Sequence, residues 1–261
     1  MIAAVLLLLA GQAGPAALPA PAPAVAGPRV FAPPLGSPMR YRVTTRRLSR
    51  DGTIASYTLD YLLQWERAGR GIRLVATLQR TGSDARPELA GAFTSLMQPL
   101  VGEPVTYLVA ADGSSIDLVD PDGLWARVMA QTEAMAAAAD RPEAKSAARL
   151  LAALSPGDRE KLATADIRAL VATSNADIPA SSGAGVAVRQ DGNLRTIART
   201  ERGEVSARAG APQPLVVERN WTVDTATGLL IAERRQSWLT GPAGDERQLA
   251  EEQIRELDAD R

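Results

Sequence analysis

The residues that could carry chemistry in this chain are carboxylates, because its 261 residues include 30 acidic residues but no histidine and no cysteine. That absence excludes a Ser-His-Asp triad, a Cys-His pair, a redox CxxC motif and an imidazole-ligated zinc. Glycoside hydrolysis needs only two carboxyl groups, which four residues could supply: Asp60, Glu66, Glu103 and Asp112. Alternation places Asp60 and Glu66 on a solvated strand face, and chance pairs are expected among 30 acids. We therefore predict that the protein is not an enzyme. A histidine-free hydrolase ranks third, after the two non-enzymatic hypotheses given at the end of this subsection.

Two loops contain residue types that hold ions or phosphates in other proteins. Asp117, Asp120 and Asp122 precede Gly123, but the alternate acids and distal glutamate of an EF-hand are incomplete, which favours capping of the following helix. The segment 181–185 is rich in glycine but lacks the Gly-Lys-Ser ending of a phosphate loop. We predict no metal site and no cofactor.

Aromatic residues form the more informative pattern. Tyr57, Tyr61 and Trp65 share one face of a predicted strand, and Trp221 and Trp238 lie on late strands. Together they could line a concave apolar surface that accepts acyl chains, with polar tips at its mouth. Ordinary core packing explains the same pattern, because an amphipathic strand buries one face in any case. Both interpretations stay open at this point.

Alternating apolar and polar residues predict the strands that would position these side chains. Three strands form a meander: one begins after Pro38, the second carries residues 57–65, and the third follows Gly69-Arg70-Gly71. A short helix is predicted between Pro87 and Pro99, followed by two strands. Later strands are expected at 186–189, 194–200, 204–209, 215–223, 229–239 and 248–257, with turns that include Asp191-Gly192 and Arg202-Gly203.

The middle of the chain has a different character. Residues 121–175 are rich in alanine and show helical spacing, and Ser155 followed by Pro156 is typical of a helix start. Two or three helices are therefore inserted into a β-rich protein of about eleven strands. We predict an α+β fold, and the small alanine side chains of the insertion favour a cavity because they fill little volume.

The amino terminus predicts export. Residues 2–10 are apolar and are followed by small residues and prolines up to Ala26, which indicates a signal peptide over 1–26 and a Pro-rich linker over 27–38. A signal peptide normally begins with a positively charged region, but no Lys or Arg precedes Arg29. A retained anchor or a misassigned start is therefore the alternative. A single domain is expected over 39–258. We predict a soluble periplasmic protein without a membrane span, and not a lipoprotein because cysteine is absent.

Charge argues against nucleic acid as a partner. The formal net charge is −1 and the sequence pI is about 5.7, so no overall positive field attracts phosphates. The ten aromatic residues are not interleaved with a basic stripe. Nearly all of the basic residues are arginines, a bias that argues against assigning a role to any single one.

The layout resembles that of a known superfamily. A long meander, central helices, further meander strands and a late hairpin with Asp224, Gly228 and Leu229 are similar to the LolA-like superfamily of periplasmic lipoprotein carriers and stress sensors. The resemblance implies a curved half-barrel sheet covered by helices, with an apolar cavity between them. It also implies binding of a lipid or a lipoprotein. Our first hypothesis is a hydrophobic-ligand carrier; the alternative is an envelope interaction or scaffold module without a small-molecule ligand.

Overall fold

Ten antiparallel strands form one sheet in the computed structural model, which describes residues 31–49, 52–138, 145, 149, 151–179, 181–205, 213–240 and 247–259. The strands of these ranges are β1 (Pro38–Leu48), β2 (Ile54–Ala68), β3 (Gly71–Ser83), β4 (Pro104–Val109), β5 (Ile116–Leu118), β6 (Val186–Asp191), β7 (Leu194–Val205), β8 (Gln213–Asp224), β9 (Leu229–Thr240) and β10 (Arg247–Ala259). The helices whose full bounds lie within these ranges are α1 (Pro87–Met97), a 3-10 helix (Gln98–Leu100), α2 (Pro121–Ala138) and α3 (Pro156–Leu170). The predicted α+β class with an open, curved antiparallel sheet is confirmed.

Two meanders meet in the middle of the sheet. The strand order is β5-β4-β3-β2-β1-β10-β9-β8-β7-β6, so the first and last strands of the chain are neighbours. Met39 lies opposite Ala259, and Arg47 lies opposite Glu251. The strand predicted for 248–257 is therefore confirmed, and it pairs on both sides rather than forming an edge.

The difference between eleven predicted strands and ten observed ones arises at Gly203. A turn at Arg202-Gly203 was expected, but β7 continues through both residues and Gly203 pairs with Leu215 of β8. Glycine permits a turn without requiring one, and here the ladder to β8 continues as far as Val205. The remainder of the strand predicted over 204–209 lies outside the described residues.

One face of the sheet carries the main core. This surface, the covered face, contacts α3, whereas the opposite surface is called the outer face. The strand side chains that form one buried cluster with Ile167 and Leu170 of α3 are Met39, Tyr41, Val43, Leu63, Trp65, Leu74, Ala76, Tyr107, Val109, Ile116, Leu229 and Leu257. Burial of each large apolar side chain stabilises the fold by roughly 1.5–3 kcal/mol. The apolar alternation of β1 to β4 thus fixes where α3 packs.

The helices also form a smaller cluster beside β4 and β5. Leu96 of α1 and Leu124, Trp125 and Val128 of α2 are buried together with Leu151. At the start of α3 the Ser155 hydroxyl accepts a hydrogen bond from the backbone N–H of Asp158 at 3.2 Å, so the predicted helix cap is confirmed. No helix within the described ranges has the length and hydropathy needed to cross a membrane.

The chain already packs on the sheet before β1. The Phe31 ring contacts the Trp65 ring edge-on with centroids 5.7 Å apart, and the Ala32 N–H donates to the Thr227 carbonyl at 2.9 Å. The second part of the predicted linker is thus attached to the core. The predicted signal peptide lies outside the described residues.

The turn between β4 and β5 requires glycine. Gly113 has a φ of 72°, and a Cβ at this position would lie 2.2 Å from the Thr173 Oγ1 and 3.0 Å from the side chain of Phe31. This contact joins the β4–β5 turn to the segment that follows α3.

Candidate ligand-binding face

Four of the five predicted aromatic residues lie on the covered face. Trp65 and Trp221 are fully buried, Tyr61 is packed against the main cluster, and Tyr57 is half-buried. The Tyr57 ring contacts Phe93 of α1 with centroids 5.0 Å apart. The structure brings Tyr61 and Trp65 into one cluster, whereas Trp221 belongs to a separate cluster on the other half of the sheet.

Trp238 lies on the outer face, apart from the other four. Its position in β9 is opposite Val216 and Leu249, and the alternation of β9 points it away from α3. The indole N–H donates to the Glu218 Oε2 at 3.2 Å, and the guanidinium of Arg247 lies 4.9 Å from the ring centroid. Trp238 is therefore part of a polar surface cluster rather than of the apolar layer.

The space between α3 and the sheet is occupied by side chains of the protein itself. Ile167 and Leu170 fill the layer above Tyr41 and Trp65, and the Tyr107 hydroxyl donates to the Ala163 carbonyl at 2.5 Å. Burial raises the pKa of the Tyr61 hydroxyl well above its usual value, so this group stays neutral. Within the described residues, α3 thus occupies the space in which the apolar cavity was predicted, and its side chains pack directly on the sheet.

Three tryptophans of the described residues have buried indole N–H groups without a hydrogen-bond acceptor. They are Trp65, Trp125 and Trp221. An unsatisfied buried donor costs about 1–3 kcal/mol. An acceptor supplied by a bound molecule would remove that cost.

A buried ionic cluster joins α3 to the centre of the sheet. The Arg255 guanidinium of β10 donates to the Glu233 Oε2 at 2.6 Å and to the Asp166 Oδ1 of α3 at 3.0 Å. The Tyr41 hydroxyl donates to the Asp166 carbonyl at 3.1 Å. Burial opposes the charge of Arg255, but the surrounding Tyr41, Asp166 and Glu233 outweigh it and raise its pKa, so it stays protonated. This cluster holds the helix on the sheet.

Three arginines lie side by side on the covered face, beyond Trp221. Arg199 of β7, Arg219 of β8 and Arg235 of β9 are direct cross-strand partners; we call them the arginine row. Trp221 follows Arg219 by two residues in β8 and lies on the same face, with Ile197 and Glu233 as its cross-strand neighbours. Sequence reasoning missed the row because the three residues are far apart along the chain and each one alone matches the arginine-rich composition.

Each member of the arginine row has an acidic neighbour. Arg219 pairs with Asp177 at 2.6 Å and Arg235 pairs with Glu251 at 3.0 Å, while Arg199 contacts Glu201. The Arg219 and Arg235 side chains are 17% and 23% exposed, so the row is neither a solvated surface nor a sealed core. The buried Nε–H groups of both have no acceptor within the described part of the chain. The row therefore retains donors that could bind an anion.

The candidate catalytic acids are not brought together. Asp60 accepts from Arg42 at 2.6 Å and from Arg80 at 2.8 Å, and Glu66 contacts Arg73, all on the outer face. Burial acts to raise the pKa of the Asp60 carboxyl, but the hydrogen bonds from the two arginines outweigh it and hold that pKa below its usual range.

The two other acids of that set also have local partners. The Asp112 carboxylate accepts from the Ser114 hydroxyl at 2.6 Å in the β4–β5 turn, and Glu103 pairs with Arg127 of α2 at 2.6 Å. These contacts stabilise a turn and a helix position. Neither carboxylate faces Asp60 or Glu66 in an acid and base arrangement.

The predicted aspartate loop caps a helix. The Asp120 Oδ1 accepts a hydrogen bond from the Gly123 N–H at 3.0 Å at the start of α2, so the capping interpretation is confirmed. No group of three acidic side chains suited to a metal ion occurs among the described residues. A neighbouring cleft of about 140 Å³, lined in part by Val105, Leu124 and Arg127, is smaller than a typical small-molecule pocket of roughly 300 Å³ or more.

Comparison with known proteins does not identify a relative. No family model matches the sequence, and no curated protein matches it. The function must be argued from the covered face and the arginine row.

Proposed function

We propose that this protein is a non-enzymatic, exported binding protein that takes a hydrophobic ligand, a lipid or an acylated protein, between the curved sheet and its helical cover. The observation that carries the proposal is the two-layer arrangement over the covered face. Aromatic and aliphatic side chains of the sheet form one buried cluster with α3, and Phe93 of α1 also contacts the sheet at Tyr57. A ligand would enter by displacing α3 and taking the place of its apolar side chains.

The polar contacts of α3 support such an opening. Asp166 is linked to Arg255, and the carbonyls of Asp166 and Ala163 accept from Tyr41 and Tyr107. These contacts are few and lie along one side of the helix. Once α3 is displaced, the indole N–H group of Trp65 becomes available to an ester or amide carbonyl of an acyl ligand.

The ionic link between α3 and the sheet gives the test. Asp166→Asn removes the charge that faces Arg255 but leaves the arginine paired with Glu233. We expect the variant to bind an apolar fluorescent dye faster and to a greater extent than the wild type, because the substitution weakens the attachment of α3 to the sheet. Glu160→Gln is the matched control, since Glu160 is on the same helix and pairs only with exposed Arg168 among the contacts described.

Native mass spectrometry after gentle purification is the second measurement. The proposal expects lipid or acylated protein to copurify with the wild type. A protein that carries no ligand and leaves the dye fluorescence unchanged in both variants contradicts the proposal. Export is checked by the intact mass of the mature chain, which should begin at Gly27 if cleavage follows Ala26.

The second candidate is an interaction or scaffold module of the cell envelope. Leu62 favours it, because this leucine is 38% exposed on the outer face between Arg40 and Thr77. Leu62→Asp should abolish capture of an envelope partner if that surface docks a protein. It should leave dye binding on the covered face unchanged.

A further inference from the structure

The arginine row places three like charges at neighbouring positions of the sheet. Cross-strand partners in an antiparallel sheet have Cβ atoms about 5 Å apart, and like charges at this distance repel. Arg199, Arg219 and Arg235 occupy three consecutive positions of this kind. Local rules of stability are broken most often where a site serves function.

The acids that accompany the row do not use all its donors. Asp177 is 54% exposed, and Glu251 is shared between Arg235 and Arg47. Among the described residues, no acceptor lies within hydrogen-bond distance of the Nε–H groups of Arg219 and Arg235. Guanidinium donors on neighbouring strands suit a phosphate, which offers more acceptor oxygens than a carboxylate.

Apolar residues flank the row along the same strand face. Leu215 and Val217 precede Arg219 in β8 and Trp221 follows it, all at alternate positions. Leu215 lies opposite Leu239, and both are half-buried. A charged group held by Arg219 would therefore have apolar surface on both sides, which is the pattern of an amphiphile and not of a free ion.

We infer that the arginine row binds the phosphate group of an anionic lipid, whose acyl chains extend over the adjoining apolar part of the covered face. This inference rests on the proposed function and names the chemistry of its ligand. The row fixes the headgroup and thereby orients the chains.

Isothermal titration with three probes tests this inference. Dihexanoyl phosphatidic acid carries acyl chains and phosphate, dihexanoylglycerol carries the chains alone, and inorganic phosphate carries the anion alone. The row variant is Arg219→Gln/Arg235→Gln, which leaves exposed Asp177 solvated and Glu251 paired with Arg47. The matched control, Arg73→Gln/Arg80→Gln, removes the same charge from the outer face and leaves Asp60 paired with Arg42.

We expect the row variant to lose affinity for phosphatidic acid by about tenfold or more, as for loss of a charge-assisted hydrogen bond. The control should bind phosphatidic acid like the wild type, and dihexanoylglycerol should bind all three proteins equally. Circular dichroism and thermal melting establish that each variant is folded.

Other results separate the inference from the proposed function. Equal binding of phosphatidic acid by wild type and row variant overturns the inference, while binding of dihexanoylglycerol still supports a hydrophobic-ligand carrier. Inorganic phosphate that binds at the row as tightly as phosphatidic acid shows a site for free phosphate and overturns the lipid assignment. If no probe binds, the inference is wrong and the dye experiment decides the proposed function by itself.

Discussion

The two ends of the covered face are held in place by different forces. Under α3, Trp65, Leu63 and Tyr107 pack with apolar side chains of the helix and are almost fully buried. Beyond Trp221 the same face carries the arginine row, whose members are half-buried and paired with acids that are themselves partly exposed. One end is a conventional core, and the other places like charges next to one another.

This difference predicts that the two ends contribute unequally to stability. Removal of apolar area from water stabilises the α3 end in proportion to the area buried. The arginine row gains little from its half-exposed ion pairs, because such pairs contribute at most about 1 kcal/mol. Mutations at the two ends should therefore have effects of different size and even of different sign.

The largest effect is expected at the apolar end. Trp65→Ala should lower the free energy of unfolding by about 3–5 kcal/mol, because it leaves a cavity below α3 and removes the contact with Phe31. Trp238→Ala is the control on the outer face, where the ring is half-exposed, and should cost about 1 kcal/mol or less. Urea denaturation measures both, and equal losses would contradict the assignment of faces.

An intermediate effect is expected for Glu252, whose ion pairs contrast with those of the row. This buried outer-face glutamate accepts from Arg46 at 3.1 Å, Arg234 at 2.7 Å and Gln236 at 2.8 Å. Burial acts to raise the pKa of its carboxyl, but the hydrogen bonds from Arg234 and Arg46 outweigh it and the pKa is lowered. Glu252→Gln should cost about 1–3 kcal/mol at neutral pH.

The pH dependence of that difference has a defined sign. Because the folded-state pKa of Glu252 is lowered, its stabilisation is fully present above the unfolded pKa of about 4.3 and is lost as the pH falls through the folded value. The gap in unfolding free energy between wild type and Glu252→Gln should therefore shrink below about pH 4. A gap that stays constant down to acid unfolding would show that the ionised carboxylate is not the source of the stability.

The smallest effect is expected in the arginine row. Arg199→Gln breaks the pair with Glu201 but relieves repulsion from Arg219, so it should leave the free energy of unfolding unchanged or raise it by up to about 0.5 kcal/mol. Arg73→Gln is the comparison on the outer face: it breaks a pair with Glu66 and relieves no repulsion, because no arginine is its cross-strand partner. This variant should lower the free energy of unfolding by up to about 1 kcal/mol. Thermal melting compares the two, and a larger loss for Arg199→Gln would show that the row contributes to stability.

Much of the fold could be predicted from local patterns. The alternation of residues 57–65 places Tyr61, Leu63 and Trp65 on one face because successive strand side chains point to opposite sides. Ser155 and Pro156 predict the start of α3, since a side-chain cap and a fixed φ favour that position. The turn predicted at Arg202-Gly203 was wrong, because both residues stay paired with β8.

The candidate site could be predicted only in part. The aromatic residues were recognised from the sequence, but Trp238 lies on the outer face and the other four lie on the covered face. Which face a strand residue occupies relative to residues of another strand depends on the pairing register. The arginine row was not recognised, since pairing between Arg199, Arg219 and Arg235 is a property of the assembled sheet.

The sequence alone determined the α+β class, the faces of single strands, the helix caps, and the exclusion of histidine and cysteine chemistry, because each depends on residue type or spacing along the chain. Only the tertiary structure decided that β10 pairs with β1, that α3 fills the layer above Trp65, and that three arginines become neighbours. These contacts join residues distant in sequence, and the combined burial and pairing of the whole sheet selects them.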